Sequence, residues 1–102
     1  MTVTPRTVTF HPDALADARD AAKHYALRVP HLGAEFVAEV RRVVALAAER
    51  PEAGGPMRAG RRRWLFTRFP FALVYRIAPD DSVRVLAVAH YRRKPGYWRS
   101  RA

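Results

Sequence analysis

Apolar residues recur along this chain with two different periods, and the change from one to the other divides it. Arg6 to Phe10 (RTVTF) alternates in the manner of a short strand. His11-Pro12-Asp13 then reads as a helix start, with proline at a first-turn position where its missing N–H has no helical partner to lose. From Asp13 to Val29, the residues Leu15, Ala18, Ala22, Tyr25 and Val29 follow in steps of three and four, the mark of one helical face. Asp17, Asp20, Lys23, His24 and Arg28 make up the opposite face, which is expected to be solvated. Pro30 and Gly33 interrupt the pattern, and Phe36, Val40, Val43 and Ala47 restart it until Pro51, which cannot continue a helix. Two antiparallel helices with a tight turn are predicted.

After the loop PEAGGPMRAG the period drops to two. Arg62 to Arg68 sets Trp64 and Phe66 against Arg63, Leu65 and Thr67, and Phe71 to Ile77 aligns Phe71, Leu73, Tyr75 and Ile77. Val83 to His90 is almost wholly apolar, as befits a central strand covered on both faces. Turn residues at Phe69-Pro70 and Pro79-Asp80-Asp81 separate the three runs, so they should form an antiparallel meander. The predicted architecture is α+β: an N-terminal strand, a helix hairpin, then three strands. The hairpin lies on one face of the sheet and buries Leu15, Tyr25, Phe36 and Val40. The other face is left open, bearing Arg63, Arg68 and Arg76, a shallow basic surface better suited to a macromolecule than to a small substrate. Trp64, Phe66, Phe71, Leu73 and Tyr75 are expected in the core.

At 102 residues one domain over 1–102 is expected, without repeat or linker. The chain has no cysteine, which excludes disulfides and thiolate zinc sites and points to a reducing cytoplasm. The opening MTVTPRTVTF lacks an apolar run of signal-peptide length, and no stretch approaches the roughly twenty apolar residues of a membrane span. His11, His24 and His31 lack ligand-like spacing, so neither metal nor cofactor is expected. No phosphate loop, nucleophile elbow or carboxylate pair occurs, which sets aside kinase, hydrolase and glycosidase chemistry.

Charge changes the picture most. Residues 1–56 carry seven basic and seven acidic side chains, whereas 57–102 carry twelve basic residues against Asp80 and Asp81 alone, so the whole net charge of +10 lies in the second half. Nearly all of it is arginine, which stays charged when desolvated and forks onto carboxylates or phosphates. The plain alternative is a solvated surface of an arginine-rich protein. The fuller expectation is one continuous cationic face for an anionic macromolecule, backed by the neutral helical half.

Three stretches, RPEAGGPMR, RRWLFTRFPFALVYRI and LAVAHYRRKPGYW, taken in that order after a helix hairpin, resemble the RelE/ParE superfamily of toxins from bacterial type II toxin-antitoxin systems. The resemblance covers nearly the whole chain. It implies a toxin held inactive in a hetero-oligomer with a cognate antitoxin, whose acidic segment would meet the basic half. ParE-type members poison DNA gyrase and hydrolyse nothing, whereas RelE-type members cut messenger RNA on the ribosome. A third possibility is a member that binds only its antitoxin.

RNA cleavage needs a base for the 2′-hydroxyl, an acid for the leaving oxygen and cations for the charged intermediate. If the chain is a nuclease, His90, Arg63, Arg76 and Tyr97 are the candidates. RelE-type sites also use lysines after the second helix, where this chain has Arg58, Arg61, Arg62 and Arg63, and arginine is a poor proton carrier. That departure favours the ParE-like branch. Binding to target or antitoxin falls to Arg63, Arg68, Arg76, Arg92, Arg93, Tyr97 and Trp98, which combine charge with flat rings able to stack or fill a pocket. Each has a structural alternative: His90 as a hydrogen-bonded lock, Trp98 folded back over the core, Arg68 or Arg76 paired with Glu35 or Glu39.

Overall fold

In the computed structural model, which describes residues 4–102, strand β1 (Val8–Phe10) leads into helices α1 (Pro12–Arg28) and α2 (Pro30–Glu49). Strands β2 (Gly55–Pro56), β3 (Arg61–Leu65), β4 (Phe71–Ile77) and β5 (Val83–His90) follow. The described strands form one sheet in the order β1-β5-β4-β3-β2, with β1 parallel to β5 and the other pairs antiparallel. The predicted α+β arrangement is present, with the helix hairpin on one face.

Helix α1 begins where proline and its neighbours direct it: the Nδ1 of His11 accepts the N–H of Asp13 at 3.0 Å and caps the first turn. Its inward face holds Ala18, Ala22 and Tyr25 as expected, but not Leu15. Ala14 is fully buried while Leu15 is 38% exposed, and Ala18, Ala21, Ala22 and Tyr25 pack against the core. Small residues face inward because the helices approach closely. A Cβ added at Gly33 would stand 2.7 Å from Ala26 Cβ and 2.9 Å from the Ala22 carbonyl oxygen, closer than packing allows. Gly33 is therefore a contact point inside α2 and not the helix breaker expected; Val29 alone separates the helices, with Pro30 opening the second.

Phe36 of α2 is the centre of an aromatic cluster, its ring 4.8 to 5.5 Å from those of Tyr25, Phe69 and Phe71. Full burial of such a ring contributes roughly 2–3 kcal/mol. One turn further along, the buried Glu39 accepts Nε and Nη2 of Arg42 at 2.7 and 3.1 Å, and the N–H groups of Thr67 and Arg68 at 2.8 and 3.3 Å. The Arg42 guanidinium, helped by the Thr67 and Arg68 donors and opposed by burial, holds the Glu39 carboxyl down at about 2. These bonds take two main-chain amides out of the ladder, so β3 stops at Leu65 and does not reach Arg68 as the alternation suggested.

β4 and β5 run as predicted, but β5 contains an extra residue. Val74 pairs with Ala87 while Tyr75 pairs with Val85, so Leu86 forms a bulge. The bulge reverses the alternation: Val83, Val85 and Val88 face the helices, whereas Leu86 and Ala87 face away. That second face is not open. Residues 91–102 turn back across it, and the 8% exposed Trp98 closes a second core with Val74, Leu86 and Ala87.

Candidate functional site

The return of the C-terminal segment depends on two devices. Gly96 has φ +78, in the left-handed region where a side chain is strained, and it turns Tyr97 and Trp98 back onto the sheet. Asp17 then anchors the segment. Its Oδ2 accepts Arg101 Nη1 at 2.7 Å, the Tyr97 hydroxyl at 3.2 Å and the Val88 N–H at 3.1 Å. The same Arg101 Nη1 donates to the Leu86 carbonyl at 2.9 Å. Beyond the three residues paired with β1, the edge of β5 is thus closed by an ion pair instead of a strand. Asp17, expected on a solvated face, has a side chain only 8% exposed.

Between this segment and the sheet lies a groove of about 230 Å³. Met57, Ala72, Val74 and Ala89 give it an apolar floor, and Arg63, Arg93, Lys94, His90 and Tyr91 stand around it. Arg93 stacks over Tyr97, with its guanidinium carbon 3.8 Å from the ring centroid. Of the residues singled out in the sequence, the fold brings Arg63, His90, Arg93, Tyr97 and Trp98 together here. It leaves three elsewhere. Arg68 sits beyond β3 and pairs with Glu35 at 3.4 Å; Arg76 stands between Arg61 and Arg84 across the strands; Arg92 is exposed after the last strand.

Local bonding limits what this groove can do with protons. His90 presents its ring edge-on to Phe71, and its Nδ1 accepts the N–H of Arg92 at 2.9 Å. That bond occupies one of the two ring nitrogens. Burial, with the negative charge of Asp17, pushes the Tyr97 phenol up to about 12. Its proton is held where Asp17 accepts it.

The cations do not form one continuous solvent face. Arg62 Nη1 donates to the carbonyls of Glu52 and Gly54 on the helix side of the sheet, at 3.0 and 2.9 Å. Arg61 Nη2 donates to those of Arg99 and Arg101, and Arg84 Nε to that of Ala102. Several arginines thus tie loops and the C-terminal segment to the sheet, because a guanidinium with five donors can satisfy carbonyls that lack a strand partner. Arg58, Arg63, Arg92, Arg93, Lys94 and Arg99 remain exposed. Trp98, one of two readings of which was a partner contact, is the core cap.

Residues 8–95 match the family model of the ParE toxin of the type II toxin-antitoxin system parDE. This chain belongs to the ParE toxin family. Its fold is also similar to that of solved structures. A chain of the chromosomal ParDE toxin-antitoxin system from P. aeruginosa superposes with TM-score 0.75 at 19% identity, over 83% of this chain and 95% of that one. A chain of the RelBE2 toxin-antitoxin complex from Mycobacterium tuberculosis gives TM-score 0.58 at 26% identity, over 85% and 99%. No curated protein sequence matches it.

As a ParE-family toxin the chain shows two site residues that sequence reasoning missed, Asp17 and Arg101. Nothing in the helical periodicity marks Asp17, and Arg101 lies in a stretch without periodicity. Among the described residues no cluster of histidine and carboxylate side chains is placed to hold a metal ion, and no helix is long and apolar enough to cross a membrane.

Proposed function

We propose that this ParE-family toxin acts by binding DNA gyrase and trapping it on cleaved DNA, without cutting RNA, and that a cognate antitoxin holds it inactive. One observation carries the choice: the proton carriers of the groove are committed elsewhere. The Tyr97 hydroxyl is bound to Asp17 with its phenol at about 12, and His90 Nδ1 accepts a main-chain N–H. Acid–base cleavage needs a base and an acid that are free to reach the substrate. What remains is a cationic rim over an apolar floor, a surface for binding.

The match to the parDE family model supports the same branch, and the ParDE and RelBE2 structures, both toxin-antitoxin assemblies by their descriptions, support an antitoxin partner. Incubating the purified chain with gyrase and supercoiled plasmid, then denaturing with detergent and protease, should release linear DNA. Intact plasmid, together with cleaved transcripts when the chain is added to translating ribosomes, would instead establish a RelE-like endoribonuclease.

A further inference from the structure

A second groove, of about 450 Å³, runs between the turn at 57–61 and residues 95–99. Arg58, Arg61 and Arg99 line it, and among the described residues no acidic side chain does. Met57, Pro95 and Trp98 give it an apolar wall.

The fold gathers these three guanidinium groups against their mutual repulsion. Ala59 and Gly60 take φ 60 and 72, in the left-handed region, and the reversal they make sets Arg58 and Arg61 on one groove. On the other side Arg99 lies against Gly96, where a Cβ would stand 2.4 Å from the Arg99 Nε. Arg61 braces the two sides. Its Nη1 donates to the Ala59 carbonyl at 3.4 Å and its Nη2 to the Arg99 carbonyl at 3.1 Å, with the guanidinium carbon 6.0 Å from the Trp98 ring centroid. Donors are left over. No side-chain hydrogen bond or ion pair engages the exposed Arg58 and Arg99 among the described residues, and Arg61 Nε is buried without an acceptor. An unpaired buried donor costs free energy that an anion beside it would recover.

We propose that this groove binds a phosphate monoester bearing a flat apolar group, a nucleoside monophosphate by class, with the phosphate among Arg58, Arg61 and Arg99 and the base against Met57, Pro95 and Trp98. The inference goes beyond the gyrase reading and does not depend on it. A guanidinium fork takes two oxygens at once, and a monoester near neutral pH carries close to two charges over three oxygens, whereas a carboxylate offers one charge and two oxygens. Three guanidinium groups around one groove match the monoester. The volume lies within the range of small-ligand clefts, roughly 300–1,000 Å³, which a bare phosphate would leave mostly unfilled. The apolar wall is where the esterified group gains burial. A nucleic-acid strand fits less well, because its diesters carry one charge each and are spaced along a chain, while the three arginines converge.

The test titrates the isotope-labelled full chain with AMP at physiological ionic strength and follows its resonances, with adenosine, inorganic phosphate and a glutamate peptide as comparison probes. In the unmodified protein, the amides of Arg58, Ala59 and Gly60 and the Trp98 indole should shift saturably with AMP. Phosphate should move the amides alone and more weakly, and adenosine should move neither. Replacing Arg58 and Arg99 together with Ala should weaken AMP about tenfold, whereas replacing Arg68 and Arg92, which removes the same charge from outside the groove, should leave it within about twofold. Equal weakening by the two pairs, shifts spread over the whole cationic surface, or tighter binding of the glutamate peptide overturns the site. Single-stranded DNA with and without a 5′-phosphate separates the sources of the group. Shifts at the turn with AMP alone assign it to a free nucleotide, shifts with AMP and the phosphorylated strand extend it to strand ends, and equal shifts with both strands overturn the monoester. No gyrase enters the measurement, so a failure of trapping leaves this site standing.

Discussion

Asp17 and Arg101, 84 residues apart in the chain, meet at 2.7 Å with side chains only 8% and 11% exposed. The pair joins the middle of α1 to the end of the chain across the unpaired edge of β5. Replacing Asp17 with Ala strands a buried guanidinium, an N–H of β5 and a phenol at once. Breaking a buried pair in this way costs about 3–5 kcal/mol. Urea denaturation should show that loss, and amide exchange in residues 91–102 should quicken more than in α2. A variant as stable as the parent, with its tail amides equally protected, would show that the anchor is decorative.

Glu39 makes a prediction about acid. Its folded value of about 2 lies below the ordinary 4.5 of a glutamate, so folding favours the charged form. The contribution is whole above pH 4.5 and is lost as the pH falls from there towards 2, to a total of about 3 kcal/mol. Urea midpoints measured across that window should fall more steeply for the parent than for Glu39→Gln. Parallel slopes would remove Glu39 from the acid response.

Tyr97 titrates in the opposite sense. Folding holds its neutral form, so this stability is complete below pH 10 and is lost as the pH rises from 10 towards the folded value of about 12. Tyrosinate absorbance of the native protein should contain one phenol that ionises near 12, and Tyr97→Phe should remove it. The same variant separates the two chemistries: gyrase trapping should persist within a few-fold, with stability lowered by about 1 kcal/mol. A hundredfold loss of activity would instead mark the phenol as a proton carrier.

The rim of the first groove is open to a simpler test. Arg63 and Lys94 are exposed and line it, and neither appears among the ion pairs of the described residues. Converting both to Glu should abolish growth arrest in cells while moving the melting temperature by no more than a few degrees. Arg93→Glu should differ, because it sets a carboxylate beside Asp17, which now lies 3.9 Å from the Arg93 guanidinium, and it should destabilise the fold as well. Retained toxicity in the double variant would take this rim out of target binding.

Sequence alone determined the order and kind of the elements, because these follow from local periodicity and from proline and glycine positions. It set α1 and α2 within a few residues and placed β4 and β5 as observed. Recognition of three motifs supplied the family, and the arginine content of the second half was legible as charge. The tertiary structure decided which charges are available. In the sequence Arg61, Arg84 and Arg101 count only towards the charge of the second half, yet they hold carbonyls or a carboxylate that only the folded chain brings near them. The inward faces of α1 and β5 also depended on distance across the fold. Ala14 is buried where Leu15 was expected, and the bulge at Leu86 reversed the strand's last third, carrying His90 to Phe71. A period describes which residues share a face; what lies opposite that face is a property of the packed molecule.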